Sequence, residues 1–168
     1  MDKTLTLGYR DSRTYLFATL FVIGNIVLPQ ICHLIPQGGH IFLPIYFFTL
    51  VGAYRYGWRV GLLTAVASPL VNSLLFSMPP VAALPAIMLK STLLALFASL
   101  AARRAGGAVS IVAIAVAIIA YQFLGMAAEW GITGSLSAAL SDVRLGFPGL
   151  VIQLLGGYTV LRLMSGNK

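Results

Sequence analysis

The stretch PAIMLKSTLLALF, residues 85–97, sets a lysine in a run otherwise suited to hydrocarbon. A charge at bilayer depth costs roughly 2.5–3.5 kcal/mol even on lenient insertion scales, so Lys90 calls for a polar counterpart. Ser91 follows Lys90 in the same run, and other apolar runs carry further polar side chains, among them Asn25, Gln30 and Ser73. Seven residues are candidate substrate contacts: Lys90, Asn72, Gln122, Glu129, Gln153, His33 and Tyr121. Donors and acceptors at comparable depth, inside otherwise apolar walls, are what capture of a polar solute requires. Singly, each reads more readily as a satisfied interhelical hydrogen bond. Lys90 itself has two readings. It pairs with an anionic group of a solute, where a compact ammonium needs no planar fork, or it forms an ion pair with Glu129. Both keep it away from lipid.

Catalysis fits the sequence poorly. GSLS at 134–137 lacks the second glycine of a nucleophile elbow and has no histidine nearby. His33 and His40 flank a turn rather than standing at helical ligand spacing, and there is no HExxH, paired-Asp or CxxC motif. No phosphate-binding glycine loop is present, so the chain is expected to bind no ATP, metal or other cofactor itself. The single cysteine, Cys32, reads as a small buried hydrophobe.

The elements that hold these residues follow from composition. Of the 168 residues 59% are hydrophobic and 9% charged, against about 25% charged in a soluble domain; the mean hydropathy is +0.93. The apolar residues form six blocks, 15–35, 41–53, 60–78, 81–102, 108–128 and 147–164. Most approach the roughly 20 residues that cross a bilayer as helix; the second is short. The expectation is an all-α integral membrane protein, one bundle of six transmembrane helices without a cleavable signal. The net charge of +7 is dispersed at block ends, which reads as topology rather than nucleic-acid binding. With six crossings, Lys3, Arg10, Arg13, Arg55, Arg59, Arg103, Arg104, Arg162 and Lys168 fall on one side and only Arg144 on the other, which puts both termini in the cytoplasm. The outward connections are 36–40, the Pro79-Pro80 turn, and 129–146, which is Gly- and Ser-rich and should hold a short interfacial helix. Gly52, Gly61, Ala65, Ala67, Gly125, Gly156 and Gly157 allow close helix approach, either within the bundle or toward a second membrane subunit.

Read in order, NIVLPQICHLIP (25–36), IFLPIYFFTLVGAYRYGWRVGLLTAVASPLVNSLLFSMPP (41–80) and LPAIMLKSTLLALFASLAARR (84–104) resemble the substrate-binding S component of an energy-coupling factor (ECF) transporter. Gly57, Gly61, Pro69, Met78, Pro79 and Pro80 fall where that family has them, and the similarity covers most of residues 14–104. It implies a prokaryotic plasma-membrane subunit that captures a vitamin or related micronutrient from outside. It also implies a transmembrane coupling subunit and two ATPases that consume the ATP. The connection Gln37, Gly38, Gly39 and His40 would lid the site, its glycines permitting hinge motion. The family's Ala-xxx-Ala docking pair is represented by Ala18 and Val22, only half of it. The family's acidic position on the fourth helix is occupied here by Lys90, which suggests a ligand with an anionic or electron-rich group; Lys90→Ala would then weaken ligand binding without loss of fold. The competing class is a stand-alone carrier or structural membrane subunit without an ATPase partner.

Overall fold

Backbone groups removed from water must pair within their own segment, and the computed structural model, which describes residues 6–166, is helical throughout, with no strand among those residues. The long helices are α1 (Ser12–Cys32), α4 (Trp58–Phe76), α5 (Leu84–Arg104), α6 (Ile111–Thr133) and α9 (Phe147–Ser165). Between them lie α2 (Gly38–Phe42), α3 (Phe47–Tyr56), α7 (Leu136–Ala139) and α8 (Ser141–Arg144), with 3₁₀ turns at Pro44–Tyr46 and Val81–Ala83. Five helical segments are long and apolar enough to cross a membrane. The protein is an all-helical, multi-pass membrane protein.

The expected second helix, 41–53, is divided. Leu43 takes φ 47°, left-handed backbone, between Phe42 and Pro44. A residue before proline is pushed out of the α region, so α2 stops there and α3 begins afresh at Phe47. The pieces nevertheless run beside α1 in the opposite direction. Asn25, within α1, meets Phe48 and Thr49, while Leu7, ahead of α1, accepts and donates at the far end: its N–H bonds Tyr56 O at 3.2 Å and its carbonyl accepts from Arg59 at 3.4 Å. From Thr49 to Tyr56 α3 is buried on every side. It is the central post of the bundle. Gly57 at φ 93°, ψ 172° turns the chain straight into α4, a conformation that only glycine adopts freely.

The arginine-bearing turns gather at one end. Tyr54 Oη donates to Ala108 O at 2.8 Å and accepts from Ser110 N, Arg55 reaches Met164 O, and Arg59 lies over the rings of Tyr9 and Trp58. Asp11 caps α1 and takes a fork of hydrogen bonds from Arg13; those side-chain bonds hold its carboxyl below the usual carboxylate range. Lys3 and Lys168 lie outside the described residues. The 129–146 connection differs from expectation: α6 continues to Thr133, and two short helices, α7 and α8, follow.

The small residues serve internal packing. A Cβ at Gly61 would stand 2.5 Å from Ala53 Cβ and 3.0 Å from Ala95 Cβ; Gly52 faces Phe21, Gly156 faces Phe47 and Gly157 faces Leu50. Ala65 is fully buried, Ala67 half-buried. Gly149 packs directly on the backbone of α2, since a Cβ there would lie 2.5 Å from the carbonyl carbon and oxygen of Phe42. Backbone yields less than a flexible side chain. Gly149→Ala should therefore prise α9 from α2 and lower stability by about 1–2 kcal/mol, read as an earlier thermal unfolding in detergent; an unchanged midpoint would show that α9 floats free of α2.

Candidate functional site

Prolines and polar side chains converge at the end of the bundle away from the arginine turns. Pro29 sits inside α1, where its missing N–H leaves the carbonyl four residues back, that of Asn25, without its helical donor. A neighbour has to supply one in lipid. Asn72 of α4 does so: its Nδ2 donates to Asn25 O at 2.9 Å and to Ser68 O at 2.9 Å. Asn25 in turn ties three helices, α1, α3 and α4. Its Nδ2 donates to Thr49 Oγ1 and Ser68 Oγ, both at 3.1 Å, and its Oδ1 accepts from Phe48 N at 3.1 Å, serving one of the orphan donors at the start of α3. Thr49 Oγ1 continues to Ser91 Oγ of α5 at 3.4 Å.

Above this network opens a cavity of about 500 Å³. Its buried floor is Pro29, Pro44 and Asn72; its rim is the exposed Ile35, Pro36, Gln37, His33 and His40 on one side and the Met78-Pro79-Pro80 turn on the other. Ile45, Ala83 and Ile87 complete an otherwise apolar wall. Three non-glycine residues in left-handed backbone stand around it: Gln37 (φ 59°) in the rim, Leu43 (φ 47°) next to Pro44, and Ser77 (φ 56°) next to Met78. Each such residue costs on the order of 1 kcal/mol or more and persists only where surroundings impose it; such residues cluster at ligand clamps. Asn72 is 1% exposed, and its Oδ1 has no hydrogen-bond partner among the described residues. Most buried acceptors are paired, so an unpaired one on a residue of the cavity floor calls for a physical account.

The seven expected contacts divide into two groups. His33 and Asn72 line the cavity. Lys90, Gln122, Glu129, Gln153 and Tyr121 do not; no residue after Ile87 lines it. They form a second cluster between α5, α6 and α9. Lys90, 2% exposed, is ion-paired with Glu129, and its alkyl stem runs over Gly125, where a Cβ would stand 2.6 Å from Lys90 Cγ. Gln122, Gly125 and Glu129 recur on one face of α6, which is why the ammonium meets the carboxylate. Tyr121 Oη donates to Gln153 Oε1 at 3.1 Å, and the Tyr121 ring lies 5.7 Å from that of Tyr46. Both amide atoms of Gln122 and the Nε2 of Gln153 are buried without hydrogen-bond partners among the described residues.

The expected lid is also revised in form. Gln37 and His40 line the cavity as lid residues should, with Gly39, but Gly38, Gly39 and His40 belong to the short helix α2 rather than to a loop. Their glycines serve close approach: Gly38 packs on the Cys32 carbonyl and Gly39 on the His33 imidazole. Of the expected docking pair, Ala18 is 5% exposed and packs in the core, and Val22 is half-buried. The outward stripe of α1 is Leu16, Leu20, Ile23, Val27 and Ile31.

Pro29, Pro44, Thr49 and Ser68 were not singled out from sequence. The one available signal was spacing, since Pro29 lies four residues after Asn25 and so marks the carbonyl that needs a donor. Among the described residues no group of three or more His, Cys, Asp or Glu side chains is arranged to hold a metal ion. Set against known proteins, the chain finds no match in any family model, curated protein or solved structure.

Proposed function

We propose that the chain is the solute-capturing subunit of an ATP-driven importer of the energy-coupling factor type, taking up a small vitamin-like molecule. In this reading residues 38–56 count as a sixth crossing, both termini are cytoplasmic, and the cavity faces outward. The arrangement of arginines supports that orientation, because positive residues are retained on the cytoplasmic side. The observation that carries the proposal is the cavity of about 500 Å³ with the unused Asn72 Oδ1 at its floor, a size within the range of pockets that enclose small molecules. It lies under the connection between the first two crossings, where the resemblance places both lid and ligand. The chain would bind no nucleotide itself; a transmembrane coupling subunit and two ATPases would supply the work, and the docking face would use α1 without Ala18. The anionic ligand group inferred from Lys90 is not retained, because Lys90 is matched by Glu129 and stands outside the cavity.

The test is retention. Protein purified in mild detergent should release a stoichiometric small molecule on denaturation, and expression beside its own membrane partners should copurify a coupling subunit with ATPases. A chain that holds no solute and brings down no ATPase would instead be a structural membrane subunit. A chain that holds solute without an ATPase would be a stand-alone carrier.

A further inference from the structure

We propose that the cavity selects an uncharged, ring-bearing solute that donates a hydrogen bond from N–H or O–H to Asn72 Oδ1. The inference rests on the solute-capture reading and adds the chemical class. The orientation of the Asn72 amide is dictated by its partners. Backbone carbonyls of Asn25 and Ser68 can only accept, so the NH₂ must face them, and the oxygen is the amide atom left unpartnered on this cavity-lining residue. A buried carbonyl oxygen can only accept, so a carboxylate or phosphate placed against it would meet lone pair with lone pair. The ligand has to bring the proton.

Charge points the same way. Among the described residues lining the cavity none is Lys, Arg, Asp or Glu, and an ion moved from water into such walls would lose hydration without a counter-charge. The buried lysine one helical turn beyond Ile87 is matched by Glu129 and lies outside the lining. The two imidazoles stand at the exposed rim, open to water rather than to the floor. The remaining surface is rigid. Five prolines, Pro29, Pro36, Pro44, Pro79 and Pro80, with Met78, line the space; their fixed rings present C–H faces against which a flat ring packs. Walls that lose little freedom on binding favour a rigid solute.

The experiment uses the wild-type full chain, purified in detergent after growth in rich medium, and identifies by mass spectrometry the molecules it releases on denaturation. The expected result is a neutral ring compound carrying at least one N–H or O–H. In Asn72→Leu, retained ligand should fall by about tenfold or more, the loss of one buried hydrogen bond. A released molecule bearing a carboxylate or phosphate would overturn the class assignment while leaving solute capture intact. So would a neutral molecule retained undiminished by a monodisperse Asn72→Leu protein. Because Asn72 also braces α1, Ile87→Trp provides a second variant that fills the cavity from α5; a ligand retained undiminished there would not occupy this cavity. Wild-type protein that releases nothing would defeat the solute-capture reading itself.

Discussion

Lys90→Met is expected to destabilise the protein by about 3 kcal/mol, seen as a lower unfolding midpoint in detergent and reduced membrane yield. Removing one member of a buried ion pair leaves the other charge without compensation, typically a loss of about 3–5 kcal/mol. The lower end applies because the Glu129 side chain keeps 16% of its exposure, so the charge left behind is not fully removed from polar surroundings. Lys90→Met/Glu129→Gln should recover most of the difference, since replacing both partners by neutral groups of similar volume is often close to neutral. This crossed design separates the two roles that Lys90 could have in the sequence. A lysine that held an anionic solute would give a stable single variant with lost ligand. The geometry instead predicts an unstable single variant and a rescued double. Equal stability of the Lys90→Met protein and the wild type would remove the ion pair from the account.

Asn25→Leu is the second large expectation, again about 3 kcal/mol, checked by the same midpoint and by hydrogen exchange at the start of α3. Leucine keeps the branched outline and heavy-atom count of asparagine but is bulkier, so the lost hydrogen bonds are joined by some overpacking at this fully buried position. Phe48 N–H would be left buried with no acceptor, worth about 1–3 kcal/mol, and the hydroxyls of Thr49 and Ser68 would each lose a donor. Interhelical hydrogen bonds in membranes often contribute only about 0.6 kcal/mol, because the separated helices find other partners. Asn25 should exceed that average, since it serves a backbone donor at a helix start, which the separated helix cannot pair internally. Rapid exchange confined to the first turn of α3 would agree. A midpoint within about 0.5 kcal/mol of wild type would mean that water replaces the amide.

How far these sites were legible depends on the range of the interactions involved. Residues 60–78 and 147–164 nearly coincide with α4 and α9, because apolar runs of membrane-spanning length leave the backbone no alternative to helix. Residues 41–53 were harder. Leu43 and Pro44 divide that segment, and the burial of α3 on all sides depends on neighbours that come from every part of the chain. Lys90 and Glu129 were paired as one of two readings because both demanded a partner in lipid. Asn72 and His33 were grouped with them by depth alone, and depth carries no information on which helix stands beside which. That is why one expected site became two. Ala18 shows the same limit in reverse: the family resemblance puts it with Val22 in a docking pair, while the rotation of α1 turns it into the core.

The sequence by itself determined the medium and the local structure: hydrocarbon as solvent, helix as the backbone's answer, arginines sorted to block ends, and a few polar groups that could not be left alone. Only the tertiary structure decided which of those groups meet. Helical periodicity sets the angle between residues of one helix, but the rotation and neighbours of each helix arise from packing, here from glycines that admit Phe48, Phe21, Ala53 and Leu50 at close range. That packing placed the Pro29-freed carbonyl under Asn72 and left the amide oxygen of a cavity-lining residue without a partner among the described residues.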